Sequence, residues 1–310
     1  MRRIAVLGAG VSGLTCAVAL QDAGYDVTVV AAEPPLATVS AVAAAAWYPT
    51  RGERDERTDR WLRASYERFM ALSRVPGSGV VARPGVELLR EPRDDAWWRE
   101  ILPGFRHAPP PPGFADAWES GPVPIVEMPV YLAWLTRRVR TRARILVRHV
   151  GSLDELPGDG IVNCAGLGAA PLTGDAAMTP VRGQVVRVRQ NGLERFIIDE
   201  QNPEGVTYVF PRSRDVVLGG VREEGNSSPT YDREQERAII RRCAALEPRV
   251  ANAPILTRAA GLRPGRPSVR LEPDEIDGRP VVHDYGHGGS GVALSWGCAR
   301  EVAGLLRRIG

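Results

Sequence analysis

No lysine occurs in this chain of 310 residues, so all 40 basic side chains are arginine. That excludes a lysine Schiff base, and with it pyridoxal phosphate chemistry. It also fits a bacterial genome rich in G and C. Cysteine is scarce: Cys16, Cys164, Cys243 and Cys298 stand far apart and form no C-x-x-C. Neither a zinc ribbon nor a redox dithiol is written in that spacing, and small buried thiols are expected. Histidine is equally sparse, and His107, His149, His283 and His287 show no ligand spacing, so no metal is expected. No apolar run reaches the roughly 20 residues of a membrane span. The chain opens on a strand rather than a signal peptide and closes on RRIG, which is no peroxisomal address, so a soluble, cytoplasmic protein is expected. Excess charge is missing too. The net charge is +3, and the densest basic stretch, Arg137 to Val150, has no interleaved aromatics. It reads as the solvated face of a helix leading into a strand, and no nucleic-acid partner is expected.

Glycine, by contrast, is abundant at both ends. From Arg3 to Gly13 the chain reads RIAVLGAGVSG, an apolar run, a turn, and then the buried-helix period of LTCAVALQDAG. The G-x-G-x-x-G spacing falls on Gly8, Gly10 and Gly13, between strand and helix, where a dinucleotide-binding turn must lie. Gly8 permits the tight turn, Gly10 lets a pyrophosphate approach the backbone, and Gly13 lets helix pack on strand. A second strand, DVTVVAAE, follows and places Glu33 near the position of a ribose-binding acid.

The other glycine-rich loop, YGHGGSG, precedes the last helix, which starts near Gly291. Between the ends lie a polar helix from Glu56 to Arg74, a Pro- and Trp-rich stretch from Gly77 to Pro129, and a return to helix and buried strand through GIVNCAGLGAA. RGQVVRVR, RFIIDE, GVTYVFP and DVVLGG then alternate as antiparallel strands do. The expected fold is α/β: a discontinuous Rossmann-like dinucleotide domain from 1–50, 129–178 and 256–310, with an inserted α+β substrate domain from 51–128 and 179–255. That insert is built on a mixed, largely antiparallel sheet.

Taken together, GAGVSGLT, DVTVVAAE with AVAAAAWYP, YLAWLT, IVNCAGLGA, RGQVVRV, YVFPR, GLRPGRPSVRLE and VVHDYGHGGSGVALSWGCA resemble the FAD-dependent D-amino-acid oxidases, in family order from residue 3 to about 306. The two C-terminal stretches are the specific ones. The resemblance implies non-covalently bound FAD and oxidative deamination of a D-amino acid, with hydride passing from the substrate α-carbon to flavin N5. The products are a 2-oxo acid, ammonia and, from dioxygen, hydrogen peroxide. By the same resemblance Arg263 pairs with the substrate carboxylate, Tyr208 touches it, the Gly289 carbonyl accepts from the amine, and Tyr48 lies near the side-chain pocket, with no side chain acting as acid or base. The flavin shell carries over to Ala9, Gly10, Val11, Ser12, Thr38, Ser40, Ala44, Ala45, Ala46, Val162, Arg263 and the loop Gly288, Gly289, Ser290, Gly291, Val292 and Ala293.

Four departures stand out. Ala32 occupies the usual place of the ribose acid, with Glu33 beside it, and Asp284 replaces an asparagine. NPEGVTYVFP is a short lid without a second tyrosine, and Tyr48 replaces a common glutamine. Neutral or apolar D-amino acids are the expected substrates, a homodimer is an open assembly, and D-aspartate oxidase or a glycine/sarcosine-type oxidase are the neighbouring alternatives. An NAD-dependent dehydrogenase or a non-catalytic flavin-binding protein represents other classes.

Overall fold

A computed structural model describes residues 2–48, 55–93 and 97–309. β1 (Arg3–Leu7) leads into α1 (Val11–Asp22) and back into β2 (Asp26–Ala31). In α1, Leu14, Cys16, Ala17, Val18 and Leu20 are all buried. A helix this apolar on every side belongs inside a core. α2 (Glu56–Leu72) is amphipathic instead: Trp61, Leu62, Ser65, Tyr66, Phe69 and Leu72 form its buried face, and Asp55 caps it by accepting from the Thr58 amide at 2.6 Å.

The Pro- and Trp-rich stretch holds β3 (Val80–Leu89), β4 (Arg106–Ala108) and β5 (Asp116–Val126). β3 and β5 pair antiparallel with a register shift between Arg83 and Gly85. Pro84 and Gly85 at this bulge, and Gly121, Pro122 and Pro124 in β5, interrupt the alternation by which strands are read. Next come α3 (Met128–Arg140), β6 (Arg144–Val147), β7 (Gly160–Asn163) and the short α4 (Ala169–Thr173). The alternating segments form β8 (Thr179–Arg189), β9 (Phe196–Asp199), β10 (Thr207–Pro211), β11 (Asp215–Gly219) and β12 (Glu223–Glu224). The chain ends with α5 (Arg233–Leu246), β13 (Ile255–Gly265), β14 (Arg270–Ile276), β15 (Arg279–Tyr285) and α6 (Gly291–Ile309).

Two sheets result. The six-stranded one has the order β14-β15-β7-β1-β2-β6 and is parallel except for the β14 edge. The nine-stranded one runs β12-β8-β11-β10-β9-β3-β5-β4, with β13 also paired to β8, and is antiparallel except between β3 and β9. β13, although part of the 256–310 stretch, thus belongs to the large sheet. No helix among the described residues is long and apolar enough to cross a membrane.

α6 lies on both α1 and α2, and its Gly297 is pressed so closely to α2 that a Cβ there would overlap the backbone of Trp61. Helix propensity alone favours alanine over glycine by about 1 kcal/mol, whereas overpacking costs about 1–3 kcal/mol or more. Gly297→Ala is expected to destabilise the protein by about 2 kcal/mol in denaturant unfolding. A stabilised variant would show that the helices part without cost.

Candidate active site

β1, β7 and β15 lie side by side, so Leu7, Asn163 and the end of β15 reach one edge of the parallel sheet. Both α1 and α6 begin there. Gly8 has φ +109°, and a Cβ on it would overlap the Cys164 carbonyl oxygen; one on Gly13 would overlap the Gly8 carbonyl oxygen. These two glycines let α1 sit directly on the strand ends. Gly10 faces Ser40, whose Oγ would lie 3.0 Å from an added Cβ and accepts from the Val11 amide at 3.0 Å. The amides of Ser12 and Gly13 have no acceptor among the described residues, and neither do those of Gly291, Val292 and Ala293 at the start of α6. No acidic side chain occupies the first turn of either helix. A helix N-terminus with unspent donors is a setting for negative charge, and the one at the α1 glycine turn would suit a pyrophosphate.

Other expected flavin residues fall into distinct settings. The side chains of Ala9, Val11, Val292 and Ala293 are buried, so any contact would be through backbone. Ser12, Gly288, Ser290 and Gly291 are half-buried at the same edge. Thr38 Oγ1 donates to the Pro35 carbonyl at 2.8 Å. Glu33 is exposed just beyond β2, without a partner among the described residues, where a ribose hydroxyl would find an acceptor. Val162 is fully buried inside β7 between Val6 and Val282, so any contact from it would also be through backbone.

The strip Ala44, Ala45 and Ala46 is held from two sides. Ala45, at φ +57°, accepts from the Val126 amide at 2.7 Å, and Ala46 bridges to Ile125. Arg212, at the end of β10 and buried, donates to the Ala43 and Ala44 carbonyls at 2.9 and 2.7 Å. Burial lowers its pKa to about 10 against the opposing pull of Asp215. Sequence reasoning missed this residue. Its signal was the arginine of YVFPR, one step past an apolar strand.

Arg263, Tyr208 and Gly289 do converge. A Cβ on Gly289 would lie 3.9 Å from Arg263 Cδ, and the Gly288 amide donates to the Pro264 carbonyl at 2.8 Å, tying the last loop to the arginine's strand. The guanidinium passes over Gly183, where any side chain would collide with it. Its Nη1 donates to the carbonyls of Val221 and Arg182 at 3.0 and 3.3 Å. Its Nε and Nη2 have no acceptor among the described residues. Burial raises the Tyr208 pKa while nearby Arg263 draws it down, so its hydroxyl is protonated at neutral pH and able to donate. Tyr48 is placed differently. Its hydroxyl donates to buried Glu87 at 2.7 Å, and its ring packs on Trp98 and Phe196. It offers a ring to a cavity of about 900 Å³ that also touches Trp61, Trp98, Gly288, Gly289 and Ser290.

Behind the same loop, the fold gathers side chains that the sequence keeps apart. Asp284, buried at the end of β15, accepts from Cys16 Sγ at 3.3 Å and Cys164 Sγ at 3.7 Å, and its other oxygen lies 3.1 Å from His287 Nε2. Cys298 completes a second group with Asp284 and His287.

The sequence profile described as FAD dependent oxidoreductase matches residues 3–305. A D-amino-acid oxidase from Rubrobacter xylanophilus is 50% identical, with 98% of this chain and 95% of that protein covered. The chain belongs to the FAD-dependent oxidoreductase family, in its D-amino-acid oxidase branch. A D-amino-acid oxidase from Streptomyces coelicolor is 38% identical over 97% of this chain and 96% of its own length, and a human D-aspartate oxidase is 36% identical over 98% and 94%. A glycine oxidase from Geobacillus kaustophilus has a TM-score of 0.81 at 18% identity, covering 99% of this chain and 95% of its own, which shows a shared fold. The oxidoreductase uses FAD, and the pair of helix N-termini, the glycine turn and exposed Glu33 fit its pyrophosphate and ribose.

Replacing Arg212 with methionine would leave two inward carbonyls without donors, at about 1–3 kcal/mol each. Arg212→Met is expected to lower holoenzyme stability by about 3 kcal/mol and to release FAD on gel filtration. An unchanged denaturation midpoint with FAD retained would remove the role given to Arg212.

Proposed function

We propose that this enzyme oxidatively deaminates D-amino acids with neutral or apolar side chains, giving a 2-oxo acid, ammonia and hydrogen peroxide. The observation that carries the reading is the free Nε–Nη2 edge of Arg263 beside Tyr208 and Gly289. A guanidinium presents along that edge two parallel donors spaced for one carboxylate. The Tyr208 hydroxyl adds a third donor, and the carbonyl of Gly289, which accepts no bond among the described residues, faces the amine. Carboxylate, amine and side chain are then held at three separate points, which orders the substituents around the α-carbon and leaves the hydrogen in one direction. FAD, when bound, would supply the hydride acceptance and the electron transfer to dioxygen. The chain's own contribution is binding, orientation and a protonated Tyr208, with no acid or base needed.

The preference for uncharged side chains follows from the cavity wall. Its arginines are already matched by carboxylates: Arg57 with Glu301, Arg93 with Glu87, Arg222 with Glu224, and Arg266 with Asp175. A second substrate carboxylate would compete with each of these acids, while the rings of Tyr48 and Trp98 suit an apolar group. The human D-aspartate oxidase relative keeps acidic substrates as the comparison arm. We assign FAD binding to 1–50, 129–178 and 256–310 and substrate contacts to 51–128 and 179–255, with β13 carrying Arg263 on the large sheet beside β8.

Peroxide release is expected with D-alanine and none with L-alanine, and D-aspartate should turn over at least tenfold more slowly. Loss of two charge-assisted bonds, about 3–6 kcal/mol, is expected to reduce kcat/KM of Arg263→Leu by about two to four orders of magnitude while the flavin spectrum stays intact. Unchanged kcat/KM in that variant would remove the carboxylate anchor.

A further inference from the structure

We propose that the holoenzyme has a buried site for one thiophilic divalent cation, zinc or cadmium, held by Cys16, Cys164 and Asp284 behind the two glycine loops. The three residues come from the second turn of α1, the residue after β7 and the end of β15, and all are buried. None touches the groups assigned to the substrate. Their ligand atoms lie within 4.8 Å of one another, and the two sulfurs stand 3.3 and 3.7 Å from the same carboxylate oxygen. Zinc bonds of about 2.0 Å to oxygen and about 2.3 Å to sulfur place tetrahedral ligand atoms roughly 3.3–3.8 Å apart. The two hydrogen-bonded sulfur–oxygen separations thus match edges of such a coordination shell, and binding would replace the thiol protons with the ion.

The surroundings supply the rest. His287 holds the other oxygen of Asp284 at 3.1 Å, which fixes the carboxylate plane as an outer partner of a metal ligand does. His287 also lines the 900 Å³ cavity, which puts one flank of the group beside that space. Two thiolates and one carboxylate form a soft, triply negative set that selects zinc or cadmium over magnesium or calcium. Binding balances as one dication taken up and two protons released from the thiols, with no electron transfer. Because the ligands sit on α1, β7 and β15, the bound ion ties together the elements that begin both glycine loops.

Cadmium titration of the FAD-loaded enzyme tests this. A saturable ultraviolet thiolate-to-cadmium band at one equivalent is expected, with two protons released per ion. Cys16→Ser or Cys164→Ser alone should weaken binding at least tenfold, and the double variant should lose the band although Cys243 and Cys298 remain. Zinc-edge X-ray absorption on the unsubstituted holoenzyme needs no variant to fold, and two sulfur neighbours at about 2.3 Å are expected. A shell of oxygen and nitrogen only, no saturable cadmium band, or a band undiminished in the double serine variant overturns the proposal.

Discussion

The close seating of α1 on the ends of β1 and β7 is the constraint from which the rest follows. Gly8 and Gly13 have no room for a Cβ because carbonyl oxygens of Cys164 and Gly8 occupy that space. With α1 drawn in this far, its unspent amides open at the same sheet edge where α6 begins. The site therefore rests on a steric absence as much as on any attraction.

The all-arginine composition has a structural counterpart. A guanidinium spreads its charge over a planar fork and tolerates burial among carbonyls better than an ammonium does. Arg212 uses this to hold the backbone of Ala43 and Ala44, with Asp215 nearby. Arg182 does likewise among Gln184, Glu223 and Gln235. Arg263 is the contrast. It shares only one nitrogen with backbone carbonyls and faces no acid among the described residues, which leaves its Nε–Nη2 edge unmatched.

Sequence patterns were legible where the physics is local. The turn at Gly8, Gly10 and Gly13, the start of α6 at Gly291, and the alternation of β8 to β11 all appear as read. β3 and β5 were hidden because a bulge and prolines break the period of two, and β13 because GLRPGRP carries too many turn residues to look like a strand of the large sheet. Tyr48 was placed near the pocket, but its hydroxyl partner, Glu87, lies 39 residues away and could not be foreseen.

What the amino-acid order determined alone was the α/β class and the two glycine loops, since turn geometry and periodicity act over a few residues. Which distant groups meet was decided only by the fold. Parallel pairing of β1, β7 and β15 brings Cys16, Cys164 and Asp284 within bonding distance across 268 residues, and the β8–β13 ladder carries Arg263 to Tyr208 and Gly289. Such meetings depend on strand order and helix seating, which are properties of the whole packed chain and leave no mark on any single segment.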